Sequence, residues 1–442
     1  MNLNMMTNII KKNIVSYYKK TFPKKKFVPG TSPVPVSGKV FDEKELLSGV
    51  EAVLDGWWTE GRFALEFERE FAKFLGVKYV SLVSSGSSAN LVALSALTSS
   101  IFREKALKPG DEVITVATGF PTTVNPIIQN RGTAVFCDND IVTKNVNPKD
   151  LEKAITPKTR VIMMAHTLGN LMPLDEIMAL VAKYNLWFIE DCCDALGGKY
   201  KGKLAGTFGH IATFSFYPAH QITMGEGGAV VTSDPRIHRA VRQFRDWGRD
   251  CWCDTGKDNT CKMRFGWKMG ELPYGYDHKY IYSQVGYNLK LTDMQAAIGV
   301  AQLAKLPGFI RARRENYSRL LRELKSLNKY FIFNEVLPGA DPSWFGFPIV
   351  VRDGAPFTKL ELVTYLEHNH IATRSIFAGN LTRHPAYLKR KDIRIVGTLK
   401  NSDKLMNDGF WIGVYPGITS QMLTYVKKTI SSFVLQYEKP GR

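Results

Sequence analysis

Thr213-Phe-Ser-Phe-Tyr-Pro-Ala-His-Gln-Ile-Thr-Met-Gly-Glu-Gly-Gly228 reads as a β-strand ending at Tyr217, a break at Pro218, a loop carrying His220, and a glycine-rich turn into a second strand over 229–232. Aromatic and β-branched runs bounded by Pro and Gly are strand signals, and the proline cannot donate to a ladder. An imidazole just beyond a strand end can take up a proton near neutral pH, its unperturbed pKa being about 6.5.

On either side of this stretch the pattern repeats. Apolar strands are expected at 77–83, 112–117, 133–137, 161–165 and 186–190, with helices at 87–103, 174–184 and 235–247. Such alternation predicts an α/β fold whose mostly parallel sheet is covered on both faces, with its ligand beyond the carboxyl ends of the strands. Helical periodicity also marks 41–56 and 64–75. Past about Lys305 the order changes to a long amphipathic helix (310–327), the segment 344–351, a helix at 359–368 and the segment 371–377, which reads as a smaller α+β domain. The division expected is a basic extension over 1–35, a large domain over 36–308 and a small C-terminal domain over 309–442. The extension has a helical patch at 9–18 and ends in a linker-like Pro-Gly-Thr-Ser-Pro-Val-Pro run. Trp57 and Trp58 can stack on a base or sugar, or pack inside.

Several residues at the expected strand ends carry chemistry. Ser84-Ser-Gly-Ser-Ser-Ala-Asn90 hands a strand over to a helix, where free N–H groups and the positive helix end cradle phosphate. Gly86 permits a close approach there, and Ser87 adds a hydroxyl. Asp191 and Asp194 follow the strand 186–190, and Phe120 lies in Ala117-Thr-Gly-Phe-Pro-Thr-Thr123. Arg249-Asp-Cys-Trp-Cys-Asp-Thr-Gly-Lys-Asp-Asn-Thr-Cys261 gathers three of the six cysteines in one polar loop. An iron–sulfur cluster takes four ligands, usually thiolates, and Cys137, Cys192 and Cys193 are each a possible fourth. Zinc suits this loop poorly, since one residue separates Cys251 from Cys253.

These motifs, in this order over about 39–442, resemble the DegT/DnrJ/EryC1 sugar aminotransferases, which use pyridoxal phosphate. The resemblance implies aminotransferase fold type I, with a sheet of the seven-stranded type. It implies that Gly86, Ser87 and Ser215 hold the cofactor phosphate, that Asp191 faces the ring nitrogen, and that Phe120 covers the ring. Asp194 stands where the family usually has Gln or His near the ring hydroxyl. Asn288, in Tyr287-Asn-Leu-Lys-Leu-Thr-Asp-Met-Gln-Ala-Ala297, matches the residue that reaches the neighbouring subunit's phosphate, which implies a homodimer. The Schiff-base lysine is replaced by His220. Histidine can move a proton but cannot anchor the cofactor covalently. The expected cofactor is therefore pyridoxamine 5′-phosphate, and the expected reaction is dehydration of a keto sugar, not amino transfer.

Within the family the cysteines match the iron–sulfur dehydrase branch that acts on CDP-4-keto-6-deoxyglucose. That resemblance assigns Cys193, Cys251, Cys253 and Cys261 to a [2Fe-2S] cluster, with Cys192 in reserve, and implies a separate flavin/iron–sulfur reductase using NADH or NADPH. The alternatives are a metal-free GDP-4-keto-6-deoxymannose 3-dehydratase relative and a binding protein with a vestigial pocket. Arg374, Arg383 and Arg390 are candidates for the nucleotide diphosphate.

The composition bounds the remaining options. Lys plus Arg is 59 and Asp plus Glu 41, a net charge of +18. Seven lysines fall within 11–26, so that segment alone is strongly basic. The rest is dispersed and accompanies no nucleic-acid motif, so no nucleic-acid partner is expected. The absence of a long apolar run argues against a membrane span. Unpaired cysteines without a leader pattern suit a cytoplasmic, reducing compartment.

Overall fold

A computed structural model describes residues 3–23 and 25–438. Its centre is an eight-stranded sheet. In spatial order the strands are Tyr79–Val83, Gly228–Thr232, Ile211–Ser215, Trp187–Asp191, Thr159–Ala165, Glu112–Val116, Thr133–Cys137 and Ile393–Ile395. All run parallel except Gly228–Thr232, which is antiparallel to both neighbours. The expected parallel α/β architecture is therefore present.

The strands alternate between two apolar layers, as a period of two requires. Leu82, Ile114, Ile162 and Phe188 face a layer containing Phe67 and Phe71 of the helix Arg62–Leu75, Ile177 of Leu174–Lys183 and Ala296 of Asp293–Leu303. Val83, Val113, Met163 and Ile189 face the helices Gly86–Ala96, Pro121–Gln129 and Pro235–Arg245. Both faces are covered, so the strands carry near-continuous apolar runs.

The C-terminal segment builds a four-stranded antiparallel sheet, ordered Phe331–Ile332, Gly346–Val351, Gly409–Gly413 and Arg374–Ser375. The helices Leu306–Leu324, Lys359–His368 and Ser420–Glu438 pack on it.

Three features depart from the sequence reading. The central sheet gains an eighth strand, Ile393–Ile395, from far along the chain. It pairs parallel to Thr133–Cys137 and is clamped by Arg394, which donates to Glu112 at 2.8 and 2.9 Å. Three residues flanked by charge give almost no strand signal. The helix expected over 87–103 stops at Ala96. The Thr98 hydroxyl donates to the Ser95 carbonyl at 2.7 Å, and Ser99 caps a separate 3-10 turn, Ser100–Lys105. Ser and Thr side chains compete with helical bonding in this way. The N-terminal helical patch extends over Leu3–Thr21, and Tyr18 Oη donates to the Phe41 carbonyl at 3.0 Å. Beyond it, Phe27 and Val34 are buried in the C-terminal core, and Val34 N donates to the His370 carbonyl at 2.7 Å. No described helix is long and apolar enough to cross a membrane.

Candidate active site

A cavity of about 470 Å³ opens at the carboxyl ends of the central strands. Gly86, Ser87, Phe120, Asp191, Asp194, Ser215, His220 and Cys193 all line it, contributed by four separate stretches of chain. Arg374 joins them from the C-terminal sheet. No lysine lines this cavity among the described residues.

Asp191 ends its strand 3% exposed. Its Oδ2 accepts from Asn90 Nδ2 and from Thr123 Oγ1, each at 2.8 Å, and its Oδ1 accepts from the Cys193 backbone N at 3.1 Å. These three donors fix the orientation of the carboxylate at the strand end.

The strand-to-helix turn is tight. Ser85 caps the helix Gly86–Ala96 by accepting from Ser88 N at 3.0 Å. A Cβ on Gly86 would stand 2.4 Å from Ser215 Cβ and 3.1 Å from Cys193 Sγ, and one on Gly228 would stand 2.3 Å from the Ser85 carbonyl oxygen. Only glycine allows this turn to meet the strand end. Ser87 and Ser215 bring hydroxyls to the same corner, where first-turn N–H groups lack intrahelical partners.

His220 Nδ1 stands 3.5 Å from Asp194 Oδ1. This is an ion-pair approach, not an aligned hydrogen bond: His220 Nδ1 and Asp194 Oδ2 both lack a hydrogen-bond partner although buried. Burial pushes the Asp194 carboxyl above its usual range, and His220 opposes that push. The Phe345 ring packs on the imidazole with centroids 5.1 Å apart. From below, the fully buried Arg313 donates to the His220 carbonyl at 2.8 Å and to those of Trp344 and Phe345 at 3.1 and 3.2 Å. Burial lowers this guanidinium to about 10.

A pyridoxal-type cofactor fits these residues. The cavity offers a fixed carboxylate, a glycine-and-hydroxyl corner for phosphate, the half-exposed Phe120 ring and unpartnered polar atoms at Asp194 and His220.

The other expected residues lie elsewhere. Asn288 is exposed and does not line this chain's cavity. Arg383 and Arg390 are also outside it, paired with Asp403 at 2.7 Å and Asp392 at 2.6 Å. Trp57 and Trp58 are neither buried nor in the cavity, and Trp57 packs against Gly256 of the cysteine loop.

Cys251, Cys253 and Cys261 share a small separate pocket with Asp258, Asn259, Arg264, His278 and Lys279. Thr260 Oγ1 donates to Cys253 Sγ at 3.0 Å, and Met263 N donates to Cys261 Sγ at 3.4 Å. Burial disfavours the Cys253 thiolate, but bonds from Thr260 and Cys251 outweigh it and leave that thiol below its usual range. Such donors and nearby cations suit a thiolate-held, negatively charged group. Cys192 instead belongs to a buried network in which His166 Nε2 lies 3.1 Å from Glu190 Oε1, and Cys192 Sγ lies 3.5 Å from the same oxygen. Cys137 is fully buried.

The DegT/DnrJ/EryC1/StrS aminotransferase family profile matches residues 41–431. The chain belongs to that family. Among curated relatives of this DegT/DnrJ/EryC1/StrS chain, lipopolysaccharide biosynthesis protein RfbH of Salmonella typhimurium is 52% identical over 98% of this chain and 99% of its own length. The dTDP-4-dehydro-2,6-dideoxy-D-glucose 3-dehydratase of Saccharopolyspora spinosa is 50% identical over 92% of this chain and 88% of its own length. Among solved structures, E. coli GDP-4-keto-6-deoxy-D-mannose-3-dehydratase with bound hydrated PLP superposes with a TM-score of 0.80 at 29% identity, covering 90% of this chain and 99% of that one. The fold is thus that of the pyridoxal-phosphate aminotransferases, and the relatives include 3-dehydratases of nucleotide-linked deoxy sugars.

Asn90, Thr123, Arg313, Phe345 and Trp411, the last also lining the cavity, escaped the sequence reading. Asn90 lies one helical turn after Gly86 and could have been found by that spacing. Arg313, Phe345 and Trp411 come from the distant C-terminal part and leave no local signal.

Proposed function

We propose that this chain dehydrates a nucleotide-linked 4-keto-6-deoxyhexose at C3, with pyridoxamine 5′-phosphate in the cavity and His220 as the base. The observation that carries this reading is an imidazole, and no lysine among the described residues, facing a cavity that also holds a fixed carboxylate and a glycine-and-hydroxyl corner. When bound, pyridoxamine phosphate supplies an amine that condenses with the sugar ketone and a ring that withdraws electrons. Asp191 keeps the ring nitrogen protonated. Gly86, Ser87 and Ser215 take the phosphate, and Phe120 covers the ring face. Asp194 lies beside the imidazole at Nδ1, so Nε2 would be the nitrogen that takes the proton at the aminomethyl carbon while the C3 hydroxyl leaves.

The cysteine set supports the iron–sulfur branch. On this reading Cys193, Cys251, Cys253 and Cys261 would hold a [2Fe-2S] cluster, which would supply one-electron transfer from a separate flavin/iron–sulfur NAD(P)H reductase, and the product leads to 3,6-dideoxyhexoses of surface polysaccharide. CDP is the preferred nucleotide on the strength of those cysteines, and Arg374 supplies a cation for its diphosphate. The enzyme works in the cytoplasm as a homodimer, to which each subunit brings Asn288.

A metal-free dehydration is the second reading, favoured by the 33% identity to GDP-4-keto-6-deoxy-D-mannose 3-dehydratase of Yersinia pseudotuberculosis. Anaerobic purification with absorption spectroscopy and iron and sulfide analysis separates the two. Turnover with CDP-, dTDP- and GDP-linked 4-keto sugars then identifies the nucleotide. Repeated transfer of nitrogen to the sugar would sink both readings.

A further inference from the structure

We infer that the four thiolates close between two copies of this chain, Cys251, Cys253 and Cys261 of one subunit being joined by Cys193 of the partner subunit. This rests on the iron–sulfur reading above.

Within one chain the four sulfurs occupy two places. Cys193 faces the cofactor cavity, against Gly86. The other three line a pocket that shares no residue with that cavity. The loop lies against the helix Pro235–Arg245, on the side that carries Arg239 and Arg242. The inner residues of that helix, Ile237, Ala240, Val241 and Phe244, pack in one core with the helix Gly86–Ala96. Arg239 and Arg242, with Cys251 and Trp252, line a groove beside it. A helix with its side chains is about 10 Å across, more than a cysteine rotamer can bridge.

Nor is the loop free to swing inward. Asp250 accepts from Arg239 at 3.0 Å and from Gln243 and Ser283 at 2.9 Å, and Arg264 grips Asp277 at 2.6 and 2.9 Å. The set assigned to the cluster is therefore incomplete in a single chain.

The segment after the loop shows where a second copy fits. Arg249 bridges to Tyr282 and Asp246 to Asn288. The Leu289 carbonyl then accepts from Ser84 N at 2.8 Å, next to the phosphate corner. The loop thus runs into a ridge standing beside this chain's own cavity. On that ridge Tyr280 and Tyr282 are more than half exposed and Val285 is 93% exposed. Apolar side chains gathered this way mark an association face. The ridge meets this chain's phosphate corner where Leu289 and Ser84 bond. A two-fold axis through that association face lays each ridge, with its thiol loop, over the opposite cavity, where the partner subunit's Cys193 faces the solvent-filled space.

Subunit mixing tests this with iron and sulfide content and the visible spectrum as readouts. Cys193→Ala and the double variant Cys251→Ala/Cys253→Ala are each purified anaerobically, then co-expressed with different affinity tags to isolate the mixed dimer. Each homodimer is expected to lack the cluster. The mixed dimer retains one intact combination and regains roughly half of the wild-type iron. A mixed dimer without iron overturns the inference, as does a Cys193→Ala homodimer that keeps its cluster or a wild-type monomer that holds one. An iron-free wild-type enzyme sinks the cluster reading itself, an outcome distinguishable from the others.

Discussion

The cofactor cavity and the cysteine loop stand on one scaffold but are held in opposite ways. The cavity takes its side chains from the ends of fully buried strands and helices, so its shape is that of the core. The loop between Gly248 and Gly286 has one short 3-10 turn, His278–Tyr280, and exposes Met263, Phe265 and Tyr274. It is kept in place by polar anchors, with Asp250 as the hub, and by the clustered rings of Trp252, Trp267 and His278. Packing thus pre-organises the acid–base chemistry. A ligand held by the loop thiols would instead couple its binding to the ordering of the chain.

Four substitutions probe that contrast. His220→Asn should cut dehydration by about 10²–10⁴, the usual worth of a positioned base, while the B6 absorption band persists. An unchanged rate would remove His220 as the base. Asp191→Asn exchanges a buried, triply bonded charge for a neutral amide. Losing about 2–3 kcal/mol of charge-assisted bonding weakens cofactor affinity roughly 30- to 140-fold. Fluorescence titration measures this, and far-UV circular dichroism should stay unchanged. Asp250→Asn strikes the loop instead. Proteolytic nicking between 251 and 281 should rise roughly tenfold as its anchors weaken, with the thermal midpoint of the body little moved. A large drop in that midpoint would show that loop and core unfold together.

The smallest effect concerns the core. Lys144 is fully buried, its Nζ donating to the Val142 carbonyl at 3.1 Å, and burial lowers its ammonium from 10.5 to about 7, against the pull of Asp140 and Glu335. The folded pKa lies below the unfolded one. Stability due to this group is therefore fully present above about 10.5 and is lost as pH falls toward about 7. Lys144→Met should flatten the rise in unfolding free energy between these values, measured by denaturant titration at several pH values.

The same contrast explains what could be read from the chain. Strand 133–137 and helix 359–368 were legible to the residue, because period-two and period-3.6 patterns report burial directly. Asp191 and His220 were legible because a strand end followed by Gly, Pro or a charge is itself a local signal. Cys193 and the loop thiols were visible as residue types, but their separation was not, since nothing in a spacing tells which side of a helix a loop returns to. Phe345 over His220, and Arg313 beneath it, are products of tertiary packing alone.

The edge strand Ile393–Ile395 has a consequence for biosynthesis. Its partner Thr133–Cys137 leaves the ribosome some 250 residues earlier, and until the last tenth of the polypeptide emerges one border of the nascent sheet has open backbone donors and acceptors. Such a border recruits stray strands. Chaperone attendance during synthesis, and insoluble product from messages truncated before codon 393, are the expected marks of a fold that its tail must finish.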